Sequence, residues 1–457
     1  MSSKAIEYAR ANEAKFRNEF FDFLRIQSIS TDKAYARNIR QGADWVAARM
    51  KEIGIDSVDA VQTTGHPIVC GEWMKAGIGK PTVLFYAHYD VQPPDPLELW
   101  NSPPFEPTVT DGKLYARGVV DDKIGVYACL KAVESFIQTA GALPVNMKFL
   151  FEGEEETGSP SALEFLRNNK ERVECDVMVI CDGSGPPDSP EVALSCRGLV
   201  GAEVTVSGPP QDVHSGSTGG LVENPVHAAS RIIASFHDSA GKIRIPGFYE
   251  GVPELSTEEK KQGPELQENY VNGLKASLGD FTEWGDPDLS PLERIWVRPT
   301  CDVNGIYGGY QGDGMKTIIP SKAGFKVTMR IAPGQNPDAI ARVFIDHVKK
   351  FDCESAKVEV EIKQTAWPAT SDPVSKPIQA LIKATRSIFG KEPGIVRMGG
   401  TVPIAGTLQR EIKKDPVFLA VGIGGLIHSP NEFMHDEYFI TSIEMVIAFL
   451  AELGAES

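Results

Sequence analysis

The chain has no surplus of positive charge. It carries 46 lysines and arginines against 62 aspartates and glutamates, a net charge of −16. Such a surface repels nucleic acid and anionic membranes, so neither is an expected partner. No run of about 18 apolar residues is present, and no membrane span is expected. The stretch MSSKAIEYARANEAKFRNEFFDFLR is charged and helix-periodic. It lacks the apolar segment and small-residue cleavage site of a secretory signal. No cysteines form a C-x-x-C pair. The seven, Cys70, Cys129, Cys175, Cys181, Cys196, Cys301 and Cys353, make an odd number. That argues against a disulfide framework and for buried thiols in a reducing cytoplasm. Internal repeats and low-complexity tracts are also absent. What remains is an ordinary globular composition, 42% hydrophobic and 24% charged over 457 residues, long enough for about two or three domains.

Apolar runs alternate with helical periodicity through the first part of the chain. Residues 4–53 predict two helices, with others from Ile124 to Gln138 and over 161–170. Between them lie VLFYA, MKFLF and VMVIC, apolar except for Lys148, as expected of strands buried on both faces. FEPTVT and KLYARG flank Asp111-Gly112, a hairpin-turn dipeptide. This predicts an α/β domain with a mixed, mostly parallel sheet and flanking helices. From about residue 198 the texture changes. LVGAEVTVSG, GFKVTMRIAPG and KVEVEIKQ alternate in period two, with helix candidates at 225–236 and 337–350. That predicts an inserted α+β domain whose antiparallel sheet is covered by helices on one side. The expected divisions are 1–197 and 367–457 for the first domain and 198–366 for the insert. Residues 240–300 are rich in Gly, Pro and Glu and are not placed.

The stretch VLFYAHYDVQPP, residues 83–94, poses the chemical question. A buried strand ends in His88, with Asp90 two residues on, where unpaired polar groups cost several kcal/mol. Other elements end alike. KLYARGVV leads to Asp121 and Asp122, and MKFLF to Glu152, Glu154, Glu155 and Glu156. VMVIC leads to Asp182, and VFLAVGIGGLI to His428. Ligands of open α/β sheets bind outside the carboxyl ends of the strands. Converging carboxylates repel one another unless cations join them. Imidazole and carboxylate without thiolate suit Zn²⁺, Mn²⁺ or Co²⁺, and about five such groups suffice for two ions bridged by one carboxylate. Each group alone has a plainer explanation: a core histidine, a solvated acidic loop, a helix N-terminus. Their recurrence at successive strand ends is what points to metal.

HYDVQPP, ARGVVDDKIG, FEGEEETGS, ICDGSG, DVHSG and HSPNE follow one another in an order that resembles the two-metal family of aminoacylases, carboxypeptidase G and carnosinase. The resemblance is strongest to its cytosolic nonspecific dipeptidase and carnosinase-like branch. It runs from QSIS near the N-terminus to HSPNE near the end. It implies two divalent ions per subunit, zinc or manganese with cobalt as a third choice. His88 and Asp182 would serve one ion, Glu156 and His428 the other, and Asp121 both, with a cis peptide after it. Glu155 would be the general base, and Asp90 would fix the His88 ring. Glu155-Glu156-Thr157-Gly158 fits the family's register, leaving Glu154 as an extra carboxylate.

The resemblance also makes the insert a lid and dimerisation domain. His214 would reach the partner's active site in a homodimer, and Arg330 would grip the substrate carboxylate. Thr317 and Thr401 would contact substrate, although relatives usually carry Ser at the latter position. His66, His227, His237, His347 and His435 match nothing. The implied reaction is hydrolysis of dipeptides or short peptides, releasing an amino acid with a free carboxylate. An N-acyl-amino-acid deacylase on the same site is the alternative. Behind these stand a carbamoyl or amidine hydrolase and a noncatalytic binding protein.

Overall fold

The computed structural model of the chain describes residues 2–187, 189–255, 267–275 and 279–455. It divides into two compact units. One comprises Met1–Leu194, Thr370–Val396 and Thr407–Ser457; the other comprises Ser195–Ala369 with Arg397–Gly406. The sequence assigns 397–406 to the second part of the first domain. The structure puts this segment with the insert, and local bonds explain it. Arg197 Nε donates to Gly399 O, and Thr401 Oγ1 donates to Gly198 O.

The first unit is built on a mixed sheet. Four adjacent strands run parallel, in the order Asn146–Glu152, Thr82–His88, Val177–Ile180, Pro416–Phe418. Ile68–Trp73 and then Asp56–Val61 add on one side as antiparallel strands. On the other side Phe418 pairs antiparallel with Ala193. The parallel strands are apolar because helices cover them. Lys123–Ala140, the central helix, is buried from Lys123 through Phe136 and closes at Gly141, left-handed at φ 69°. Only glycine takes that conformation without steric cost. N-terminal residues form three α-helices rather than two, Ser2–Ala11, Glu13–Leu24 and Ala36–Glu52. The helix expected over 161–170 breaks at Asn169 into Ala162–Asn168 and Lys170–Val173.

Helix Tyr438–Ala455 is long and apolar enough to cross a membrane by length and composition, which the search for apolar runs overlooked. It is instead a core helix, with Phe439, Ile443, Val446, Ile447, Phe449 and Leu450 wholly buried. Phe439 joins Phe20 and Tyr127 in an aromatic cluster.

The Asp111-Gly112 hairpin forms as expected, with both residues at positive φ between Thr108–Thr110 and Lys113–Tyr115. It does not belong to the main sheet. It builds a separate small sheet with Phe433–His435 and Gly424–Gly425.

The second unit has an antiparallel sheet in the order Asp302–Gly308, Lys322–Ile331, Gly198–Ser207, Lys357–Ala366. Its core joins Val200, Val204, Phe325 and Val327 to Ile232 and Phe344. The last two come from helices Pro225–Ala234 and Pro337–Lys349. Both helices start alike. Asn224 and Asn336 accept bonds from the first-turn amides, and a proline follows, where its missing N–H costs nothing. Part of the unplaced stretch 240–300 lies outside the described residues. Within it, Pro291–Trp296 is a short helix with a Ser290/Glu293 capping box.

Candidate metal centre

The parallel register carries His88 and Glu152 to the same end of the sheet, with Asp182 just past Val177–Ile180. The main sheet supplies His88, Glu156 and Asp182. The small sheet supplies the rest. Asp121 follows the hairpin arm, and His428 sits in the loop between Gly424–Gly425 and Phe433–His435. The simple picture of five strand exits therefore needs correcting, since two of the groups arrive from loops of a second sheet.

The five groups nonetheless converge. His88, Asp121 and Asp182 bring ligand atoms within 4.8 Å of one another, and so do Asp121, Glu156 and His428. Asp121 belongs to both triads. Its Oδ1 is 3.0 Å from His88 Nε2, and its Oδ2 is 2.8 Å from His428 Nε2. Glu156 Oε2 lies 3.2 Å from the same His428 nitrogen. The Asp121-Asp122 peptide is cis. His428 has φ 60°, a conformation few non-glycine residues adopt.

The electrostatics match the crowding. Burial, and then the charge of Asp121 and Glu156, raise the Asp182 carboxyl to about 7 against the attraction of His88. Burial and Asp182 push Glu155 well above the usual carboxylate range. Hydrogen bonds to Asp121 and Glu156 lift His428 to about 10. Burial opposes the charged form of His88, but its bonds to Asp121 and Asp90 prevail and raise it. Asp121, pulled between two imidazoles, is lowered despite its burial. Crowded carboxyls of this kind are stabilised by positive charge. A pair of divalent ions fits the same donors. The set is nitrogen and oxygen without thiolate, and Glu156 Oε1 is buried with no hydrogen-bond partner among the described residues.

Asp90 does more than orient one ring. Its Oδ1 is 3.3 Å from His88 Nδ1, which also lies 3.1 Å from the Asp90 carbonyl oxygen. The same carboxylate accepts the amides of Glu155 and Glu156 at 3.3 and 3.1 Å. One buried group thus holds an imidazole and the two-glutamate segment together. Glu154 points elsewhere and accepts the His66 amide at 3.0 Å.

Three supporting residues escaped the sequence reading. Gln92 donates to Glu156 Oε2 at 2.9 Å. Asp122 accepts the His88 amide at 3.2 Å. Glu432 is wholly buried and accepts four donors: Arg117 Nη1 (2.8 Å), Gly118 N (2.9 Å), Val120 N (3.0 Å) and Asp121 N (3.2 Å). It fixes the loop that carries Asp121 from the segment that carries His428. A signal was available, since the motifs HYDVQPP, VVDDK and HSPNE contain all three.

The remaining expected residues lie in the second unit and form two pairs. His214 caps the short turn Ser215–Thr218, its Nδ1 accepting from Gly216 N at 3.0 Å. Thr317 O accepts from Ser215 N beside it. Arg330 Nη1 donates to Thr401 Oγ1 at 2.6 Å. Of the five unmatched histidines, His66, His227, His237, His347 and His435, none belongs to either metal-ligating group among the described residues.

The sequence profile of peptidase family M20/M25/M40 matches residues 84–452. The Cys-Gly metallodipeptidase of Schizosaccharomyces pombe is 29% identical over 454 residues, covering 95% of this chain and 94% of that protein. The human Beta-Ala-His dipeptidase is 32% identical over 452 residues, covering 96% and 86%. Among solved structures, that of the Saccharomyces cerevisiae dipeptidase Dug1p superposes with a TM-score of 0.85 at 26% identity, covering 100% of this chain and 99% of the other.

Proposed function

Because the chain belongs to peptidase family M20/M25/M40, we propose that it hydrolyses the amide bond of dipeptides or short peptides and releases an amino acid with a free carboxylate. The observation that carries this reading is the pair of triads sharing Asp121, in a chain whose relatives are dipeptidases over nearly their whole length. His88, Asp121 and Asp182 would hold one divalent ion, and Asp121, Glu156 and His428 the other. Such ions, zinc or manganese with cobalt as a third choice, acidify water from a pKa near 16 towards about 7 and polarise a carbonyl.

Glu155 is the proton carrier. Its carboxyl is buried and raised well above its ordinary value, so it can accept a proton from water and give it to the leaving amine nitrogen. Asp90 keeps Glu155 in register through its amide. Arg330 would form a two-point pair with the substrate carboxylate, with Thr401 steering the guanidinium and Thr317 adding a hydroxyl. His214 would act from the partner in a homodimer, donating to the oxyanion. The cytoplasm is the expected setting, given seven free thiols.

An N-acyl-amino-acid deacylase would use the same groups and differ only on the amine side of the bond. The test is to strip the protein with chelator, restore Mn²⁺ or Zn²⁺, and compare a free dipeptide with its N-acetyl-amino-acid counterpart. Metal-dependent cleavage of the dipeptide supports the reading. Cleavage of the N-acyl compound alone replaces it with the deacylase. Glu155→Gln should bind metal as the parent does and lose at least about a thousandfold in kcat. Substantial residual turnover would remove Glu155 from its role.

A further inference from the structure

The second unit holds a cavity of about 240 Å³ that none of this chemistry uses. Arg197, only 8% exposed, lines it. Its Nε donates to Gly399 O at 2.6 Å and its Nη1 to Arg298 O at 3.2 Å. Both acceptors are carbonyls, and no carboxylate pairs with it among the described residues. Asp302 acts on it through space, but a buried cation bonded only to carbonyls lacks a carboxylate in direct contact. Lys242, Arg294 and Arg298 line the same space against Asp286 and Asp302. The acids that pair with Arg294 and Arg298 are exposed Glu283 and Glu254, at 3.6 and 3.3 Å.

A second observation points the same way. Thr300 lines the cavity, and its buried Oγ1 has no hydrogen-bond partner among the described residues. Buried hydroxyls are nearly always paired, so an empty one asks for a ligand atom. Rings share the wall with the cations, Lys242 Nζ lying 6.0 Å from the Tyr249 ring centroid. Trp284 meets His237 edge-on with centroids 5.9 Å apart, and Tyr249 completes the wall. Gly241 lies beneath the indole. A Cβ there would fall 2.9 Å from the Trp284 ring, and φ is +81°.

We propose that this cavity binds a small carboxylate carrying one flat aromatic ring. The carboxylate pairs with Arg197 and accepts a hydrogen bond from the Thr300 hydroxyl, and the ring rests on Trp284 and His237. Size sets the limit: at about 30 Å³ per water the space equals roughly eight waters, enough for a single-ring acid and too little for a nucleotide. The cavity adjoins the strand that carries Arg330, since Thr300 N donates to the Arg330 backbone O at 2.9 Å. The proposal does not depend on the peptidase reading.

The test titrates benzoate into the metal-restored full chain by calorimetry, beside acetate (charge without ring) and benzamide (ring without charge). Benzoate should saturate, with each comparison compound weaker by roughly tenfold or more. Trp284→Ala and Lys242→Met alter exposed residues and should each weaken benzoate by about tenfold, while Arg330→Met leaves it unchanged. Absence of saturable benzoate binding overturns the proposal. So does equal binding of acetate. A loss confined to Arg330→Met would put the ring acid at the substrate's carboxylate position and overturn it as well.

Discussion

At the scale of single residues, buried carboxylates tie together the segments of the candidate site. Glu432 accepts three amides and a guanidinium at once. Glu432→Gln turns one acceptor into a donor facing donors, so the loop bearing Asp121 should shift. Metal affinity should fall by about 10–100-fold, read by competition with a chromogenic chelator, while Gln at exposed Glu437 serves as the neutral control. Asp182 gives a pH prediction. Its folded pKa of about 7 lies above its ordinary value. The metal-free fold therefore keeps a proton that the unfolded chain gives up from about pH 4. Stability contributed by that proton is present at low pH and is lost as pH rises through 7. The melting temperature of the stripped protein should fall between about pH 4 and 7, and divalent ions should flatten that slope. A slope unchanged by metal would separate Asp182 from the ions.

At the scale of elements, what could be read in advance followed period and punctuation. The insert's strands announced themselves by alternation, and its helices by Asn-Pro starts. Asn336→Ala should cost about 1 kcal/mol, because two first-turn amides lose their acceptor, seen as a lower midpoint in urea with unchanged slope. The buried strands showed as apolar runs interrupted only by Lys148, and His88, Asp90, Glu155 and Glu156 stood at or just past their ends. The small sheet was harder. Gly424–Gly425 and Phe433–His435 are too short to carry a period, and the pairing of the latter with Lys113–Tyr115 joins segments some 300 residues apart. Local pattern holds no information about such a contact, so Glu432 sat unread inside a motif already noticed. The break at Asn169 has a local reason, since its side chain turns back to bond Phe165 O.

At the scale of the whole molecule, the thiols measure integrity. All seven cysteines are free, and only Cys353 is exposed. A thiol reagent should label one site quickly in the native protein and seven in denaturant. Rapid labelling of more than one would show that the units open readily. Charge acts at this scale too: at −16, salt should slow association with cationic partners and leave the buried bonds of the metal centre almost untouched.

The clamp between Glu432 and Arg117 spans 315 positions of sequence, and that distance has a temporal meaning. At about 5–20 residues per second, a ribosome needs roughly 15–60 s to travel it. When that interval begins only His88 of the five groups has been made; Asp121, Glu156, Asp182 and His428 follow in turn, and until its end Asp121 lacks the carboxylate that sets it in place. A product stalled short of Glu432 would therefore carry an ill-formed half-centre, and, should the triads hold divalent ions, a weakly chelating one.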